Sequence, residues 1–180
     1  VWGGGYESLG GTSMAAPQVA GAAALLWDYS AAFDTAAEVR AALECTALDR
    51  GSSGKDNEYG HGLIQINSAL QSGGSTIQFS STSASGAEGT TSVNIAVALS
   101  GACAGDATVN YAVTGGTASG SGTDYTLASG TATISAGNTS TNIALTVVND
   151  SVYESSETVI VTLSNPSSNA ILGSNTAHTY

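Results

Sequence analysis

The stretch "GGTSMAAPQVAG", Gly10 to Gly21, places one hydroxyl, Ser13, where a Gly-rich turn runs into small apolar residues. A serine at a helix N-terminus sits at the positive end of the dipole, and its backbone N–H can point at a developing oxyanion. Gly10 and Gly11 remove side chains where another backbone must come close. That is a setting for a nucleophile, although an unassisted hydroxyl needs a positioned base to take its proton. It is equally a setting for a helix cap. A second group of residues is acidic: Glu88, Asp106, Asp124, Asp150, Glu154 and Glu157. The cations Arg40, Arg50 and Lys55 all lie earlier in the chain, so these acids have no Lys or Arg partner nearby in sequence. Three of them crowd into "NDSVYESSE". Clustered carboxylates repel one another, and an oxygen-seeking cation such as Ca²⁺ relieves that cost. The plainer alternative is a solvated acidic loop.

Composition narrows the partners. Three Lys and Arg against 14 Asp and Glu give a net charge of −11, which repels phosphate backbones and argues against nucleic acid. Apolar residues make up 42% and charged ones 9%, so the chain can build a core and is not of disordered composition. No apolar run approaches the ~20 residues of a membrane helix. The two cysteines, Cys45 and Cys103, fall in segments of different character. The expectation is therefore two buried small hydrophobes, with no disulfide between them.

Two grammars of secondary structure would position these groups. "SMAAPQVAGAAALLWDY" is apolar nearly all round, which predicts a helix buried on most sides, with Pro17 near its first turn. "TAAEVRAALECTA" predicts a second helix, with Thr35 as N-cap and Glu38 completing a capping box. "YGHGLIQINSAL" reads as a Gly-bounded strand and a short helix. The polar, Gly-rich residues 72–75 read as a linker. Beyond them the apolar period becomes two: Val93, Ile95, Val97 and Leu99, then Val109, Tyr111 and Val113. Ile143, Leu145 and Val147 follow, then Val159, Val161 and Leu163, with Gly, Ser and Asn clusters between the runs. Short alternating strands so spaced predict an antiparallel β-sandwich over 76–180.

The first part, 1–71, resembles the end of the catalytic domain of the subtilisin-like serine proteases. "GGTSMAAPQVAGAAALLW" is similar to that family's serine segment, and the Tyr-Gly-His-Gly-Leu turn from Tyr59 is similar to its final turn and helix. One departure is Gly10, where the family more often has Ser. The resemblance implies a fragment of an α/β domain, with Ser13 as nucleophile and its N–H as an oxyanion donor. In that family the triad runs Asp, His, Ser along the chain. The partners of Ser13 are accordingly expected before Val1, and these 180 residues alone are expected to be inactive. His61 occupies a position that varies in the family and is expected to be structural.

The second part resembles a Calx-beta domain, an all-β immunoglobulin-like sandwich. The resemblance rests on the Asp124-Tyr125 pair after a Gly/Ala/Ser-rich turn, the cluster of Asp150, Glu154 and Glu157, and "LSNPS". It implies Ca²⁺ ligands at Glu88, Asp124, Asp150, Glu154 and Glu157, with the Val152 carbonyl as a further donor. Two departures predict a weak site. Asn149 stands where an Asp is common, and a closing Asp-Asn-Asp is missing from "NTAHTY".

Together these features predict a secreted or surface serine endopeptidase of bacterial origin, acting on proteins or peptides and carrying a Ca²⁺-binding module. The rival reading is a Ca²⁺-binding adhesion or interaction module behind an inert protease remnant. A third makes Ser13 only a cap in an unrelated fold, and requires both subtilisin-like stretches to be accidental.

Overall fold

The computed structural model describes residues 11–29, 33–52, 54–72, 75–150 and 155–180. Among the described residues three helices come first: α1 (Thr12–Tyr29), α2 (Ala36–Thr46) and α3 (Ile66–Ser72). The expected capping box starts α2. Thr35 Oγ1 accepts the Glu38 N–H at 3.2 Å, and Glu38 Oε2 accepts the Thr35 N–H at 2.8 Å. Such a cap stabilises a helix end by about 1 kcal/mol. Pro17 lies in the second turn of α1, where it removes the bond that a donor would have made to the Ser13 carbonyl.

Helix α1 departs from expectation. Ala22 and Leu26 are its buried residues, while Leu25 is 47% and Trp27 52% exposed. Uniform apolarity predicts burial only where neighbours exist. Among the described residues α1 meets α2 and α3, so one stripe is covered and the rest faces solvent. The small helical core gathers Leu26, Phe33, Val39, Leu43 and Ala69. The strand expected in "YGHGLIQINSAL" is also not formed. It is reduced to two isolated antiparallel bridges, Leu48 with Leu63 and Asp56 with Gly60, because no sheet lies alongside it among the described residues.

Beyond residue 75 the described residues form nine strands: β1 (Thr76–Phe79), β2 (Ser92–Leu99), β3 (Ala107–Gly116), β4 (Tyr125–Thr126), β5 (Gly130–Ile134), β6 (Ser140–Val147), β7 (Val159–Ser164), β8 (Ile171–Leu172) and β9 (Ala177–Thr179). They make two sheets, ordered β4-β6-β2-β1-β8 and β5-β3-β7-β9. Pairing is antiparallel throughout except β1 with β8. The alternating residues do what their period requires. Ile95, Val97, Val109, Ile143, Leu145 and Val161 point inward and are buried between the sheets. A register shift between Val113 and Gly115 bends β3 against β7. It leaves Gly116 at φ 120°, where a Cβ would collide with the Thr158 carbonyl. Glycine alone suits that position.

The expectation for the cysteines is overturned. Cys45 and Cys103 form a disulfide, with Cα atoms 4.4 Å apart, linking the last turn of α2 to the loop between β2 and β3. The two segments meet because that end of α2 docks on that loop. The Ala104 N–H donates to the Cys45 carbonyl at 2.7 Å, and Cys45 packs into the core of the sandwich.

Candidate functional site

Ser13 is the second residue of α1 and is exposed. Gly11, at φ 143°, turns the chain into the helix, and its carbonyl accepts the Met14 N–H at 3.0 Å. Gly10 lies outside the described residues. Neither histidine is set up as a base for Ser13. His61 Nε2 faces Glu44 Oε2 at 3.5 Å, and Glu44 is held by Arg40 at 2.7 Å. His178 is buried in the sandwich, with Nδ1 2.8 Å from the Ser81 carbonyl and its ring against Phe79.

The turn leading to His61 is organised by Asp56. Its carboxylate accepts the N–H groups of Tyr59 (2.6 Å), Glu58 (2.9 Å) and Ser52 (3.1 Å). The Tyr59 N–H above all holds this carboxyl below the usual carboxylate range.

Glu88, Asp124 and Glu157 converge at one end of the sandwich. There a cavity of about 290 Å³ is lined by Glu88, Asp124 and Glu157, with Tyr125, Ser155 and Tyr180 among the other walls. Each acid is placed by main-chain bonds. The Asp124 carboxylate takes the Ser119 N–H and closes the loop before β4, while the Asp124 carbonyl accepts the Val148 N–H at 2.8 Å. Glu88 lies within a turn in which the Ala87 carbonyl accepts the Thr90 N–H at 2.8 Å, and its Oε1 accepts the Asp150 N–H at 3.3 Å. Glu157 precedes Thr158, whose N–H donates to Thr117 Oγ1 at 2.9 Å. Val152 and Glu154 lie outside the described residues. Asp106 is at the other end, with Oδ1 on the Ala136 N–H at 2.9 Å.

The donor set fits a hard cation. It is all oxygen, and the sandwich sequence contains no Lys or Arg to compete for it. Among the described residues no three acids, histidines or cysteines stand close enough to hold an ion. The described geometry is thus a carboxylate-lined cavity rather than a finished coordination shell. Tyr180 and the main chain at Gly86 were missed by sequence reasoning. A Cβ on Gly86 would strike the Tyr180 hydroxyl, a contact between distant residues that no local pattern announces.

Comparison with known proteins finds two families along the chain. Residues 72–179 match the model of the Calx-beta domain, and residues 2–62 match that of the Subtilase family. Subtilisin of Bacillus pumilus is 49% identical over 69 residues, covering 38% of this chain and 24% of that protein. Fervidolysin of Fervidobacterium pennivorans is 42% identical over 71 residues, 38% of this chain and 10% of that protein. The Extracellular serine protease of Serratia marcescens is 39% identical over 66 residues, 37% of this chain and 6% of that protein. The chain therefore spans a quarter or less of the length of these relatives. Among solved structures, the apo-form Calx CBD1 domain superposes with a TM-score of 0.54 at 26% identity, covering 58% of this chain and 92% of that one. The calcium binding domain CBD12 of CALX1.1 gives 0.53 at 26% identity, covering 57% and 42%.

Proposed function

The chain belongs to the Calx-beta domain family through residues 72–179, and on that premise we propose a subtilisin-like serine endopeptidase that carries a Ca²⁺-binding sandwich. The observation behind the enzymatic part is Ser13, held in the first turn of α1 within the segment matching the Subtilase family. Its hydroxyl attacks a peptide carbonyl, and its proton passes to a histidine base and then to the leaving amine. Water hydrolyses the resulting acyl-enzyme. Neither His61 nor His178 is placed for that role, so the base and its Asp partner come from outside these residues. The substrate is a protein or peptide.

In the sandwich, Glu88, Asp124, Asp150, Glu154 and Glu157 with the Val152 carbonyl would hold Ca²⁺, which would neutralise the mutual repulsion of the carboxylates. The module serves as support, spacer or adhesion element. A disulfide and a relative named as extracellular favour a secreted or surface protein of bacterial origin. The test is hydrolysis of a denatured protein by the natural gene product and by its Ser13→Ala variant. Ser13-dependent cleavage supports the enzyme. Equal inactivity of both leaves the second reading, a Ca²⁺-binding adhesion or interaction module with an inert protease remnant.

A further inference from the structure

The two halves of this chain meet at the end of the sandwich opposite the acidic cavity. β2 runs from the cavity side at Ser92 to Leu99 near Cys103, eight residues or about 25 Å of strand. The contact at this end is thin. Gly105 lies against Gly54, close enough that a Cβ on Gly105 would come 3.5 Å from the Gly54 Cα. One cleft separates Lys55 and His61 from Asp106 and Asn169, and another separates Ala37 and Arg40 from the segment around Pro166 and Leu172. Among the described residues no ion pair crosses between the halves. The Cys45–Cys103 bond crosses in the middle of this contact, with the two cysteines 1% and 3% exposed, beside the hydrogen bond from the Ala104 N–H to the Cys45 carbonyl and the packing of α2 on β8.

We infer that Cys45–Cys103 is an interdomain clamp: it holds the helical unit on the sandwich and keeps the two together when the peptide chain between them is cut. The helical unit has particular need of it. Its core is small and α1 exposes large apolar residues, so it has little of its own with which to stay docked. Burial also shields the clamp, because a reductant reaches the sulfurs only when the contact opens. Opening by a dithiol breaks the S–S bond, forms two S–H groups and leaves the dithiol as a cyclic disulfide, a transfer of two electrons and two protons. This role holds whether or not the chain is a peptidase.

The experiment places a recognition sequence for a site-specific protease between Ser72 and Ser75 of the full chain and cuts there. Without reductant, the cut protein is expected to run as one species on a denaturing gel and to elute as one peak under native conditions. With dithiothreitol, or in the Cys45→Ser/Cys103→Ser variant, the two pieces are expected to separate under both. Two species from the unreduced cut protein would overturn the clamp, since the bond would then not have formed. Co-elution of the reduced and the variant pieces under native conditions would overturn it equally, because the non-covalent contact would suffice. Dithiothreitol acts on the wild-type chain after it has folded, so the test does not depend on the variant folding.

Discussion

The main-chain N–H of Asp150 donates to Oε1 of Glu88 across 3.3 Å, tying the loop after β6 to the loop before β2. These residues are 62 apart in sequence, yet both belong to the acidic end of the sandwich. The bond orients Glu88 at the rim of the carboxylate-lined cavity.

Calcium is accordingly expected to raise the melting temperature of the chain. With affinity in the ~10⁻⁴–10⁻³ M range of extracellular modules, 10 mM Ca²⁺ adds about 1.4–2.7 kcal/mol. That corresponds to a shift on the order of 10 °C for a domain of this size. Asp150→Ala is expected to abolish the shift, and so is Asp124→Asn, in which an acceptor remains for the Ser119 N–H. A calorimetric melt that does not move with millimolar Ca²⁺ would reduce the acidic end to a solvated loop.

Breaking the disulfide should be costly. Cys45 and Cys103 are 58 residues apart, and closing a loop of that length stabilises by about 4 kcal/mol in the chain-entropy account. Urea unfolding of the Cys45→Ser/Cys103→Ser variant is expected to show a loss of that order. A loss near zero would mean that the bond constrains little.

Gly116→Ala tests the bend in β3. Its positive φ and the Thr158 carbonyl leave no room for a Cβ. A destabilisation of about 1–3 kcal/mol is expected. A smaller Ca²⁺ shift is expected with it, because Thr158 adjoins Glu157 in the cavity wall. Unchanged stability would contradict the geometry described for this strand.

Asp56 sets a pH dependence on the turn before His61. Its carboxyl is depressed on folding, chiefly by the Tyr59 N–H. The sign follows: the contribution is complete above the ordinary carboxylate pKa and is lost as pH falls through the lowered value. Amide exchange at Glu58 and Tyr59 should therefore accelerate in acid relative to its intrinsic rate, and be fast at all pH in Asp56→Ala. Protection that is indifferent to both changes would count against this role.

Much of this architecture is legible in the residues. The period of two in Val93–Leu99 and Val159–Leu163 is enough to assign inward faces, because side-chain direction in a strand is local. Thr35 and Glu38 announce their cap for the same reason. The failures share a different cause. Whether α1 is buried depends on what covers it, and Leu25 and Trp27 carry no sign of their neighbours. The strand around Leu63 needed a partner sheet. Cys45 meets Cys103 only because α2 docks on a loop far along the chain, a relation that no local pattern encodes. At the acidic end, Glu88, Asp124 and Glu157 were legible as a group, while Tyr180 entered the cavity unannounced.

The most direct measurement is fluorophosphonate labelling of Ser13, in this 180-residue chain and in the gene product that includes the coding sequence preceding Val1. Ser13→Ala serves as the control in each. The account predicts no labelling above control for the 180 residues and Ser13-dependent labelling for the longer product. Labelling of the short chain at Ser13 would contradict the view that His61 and His178 stand apart from the nucleophile. No labelling of the longer product would contradict the enzyme itself.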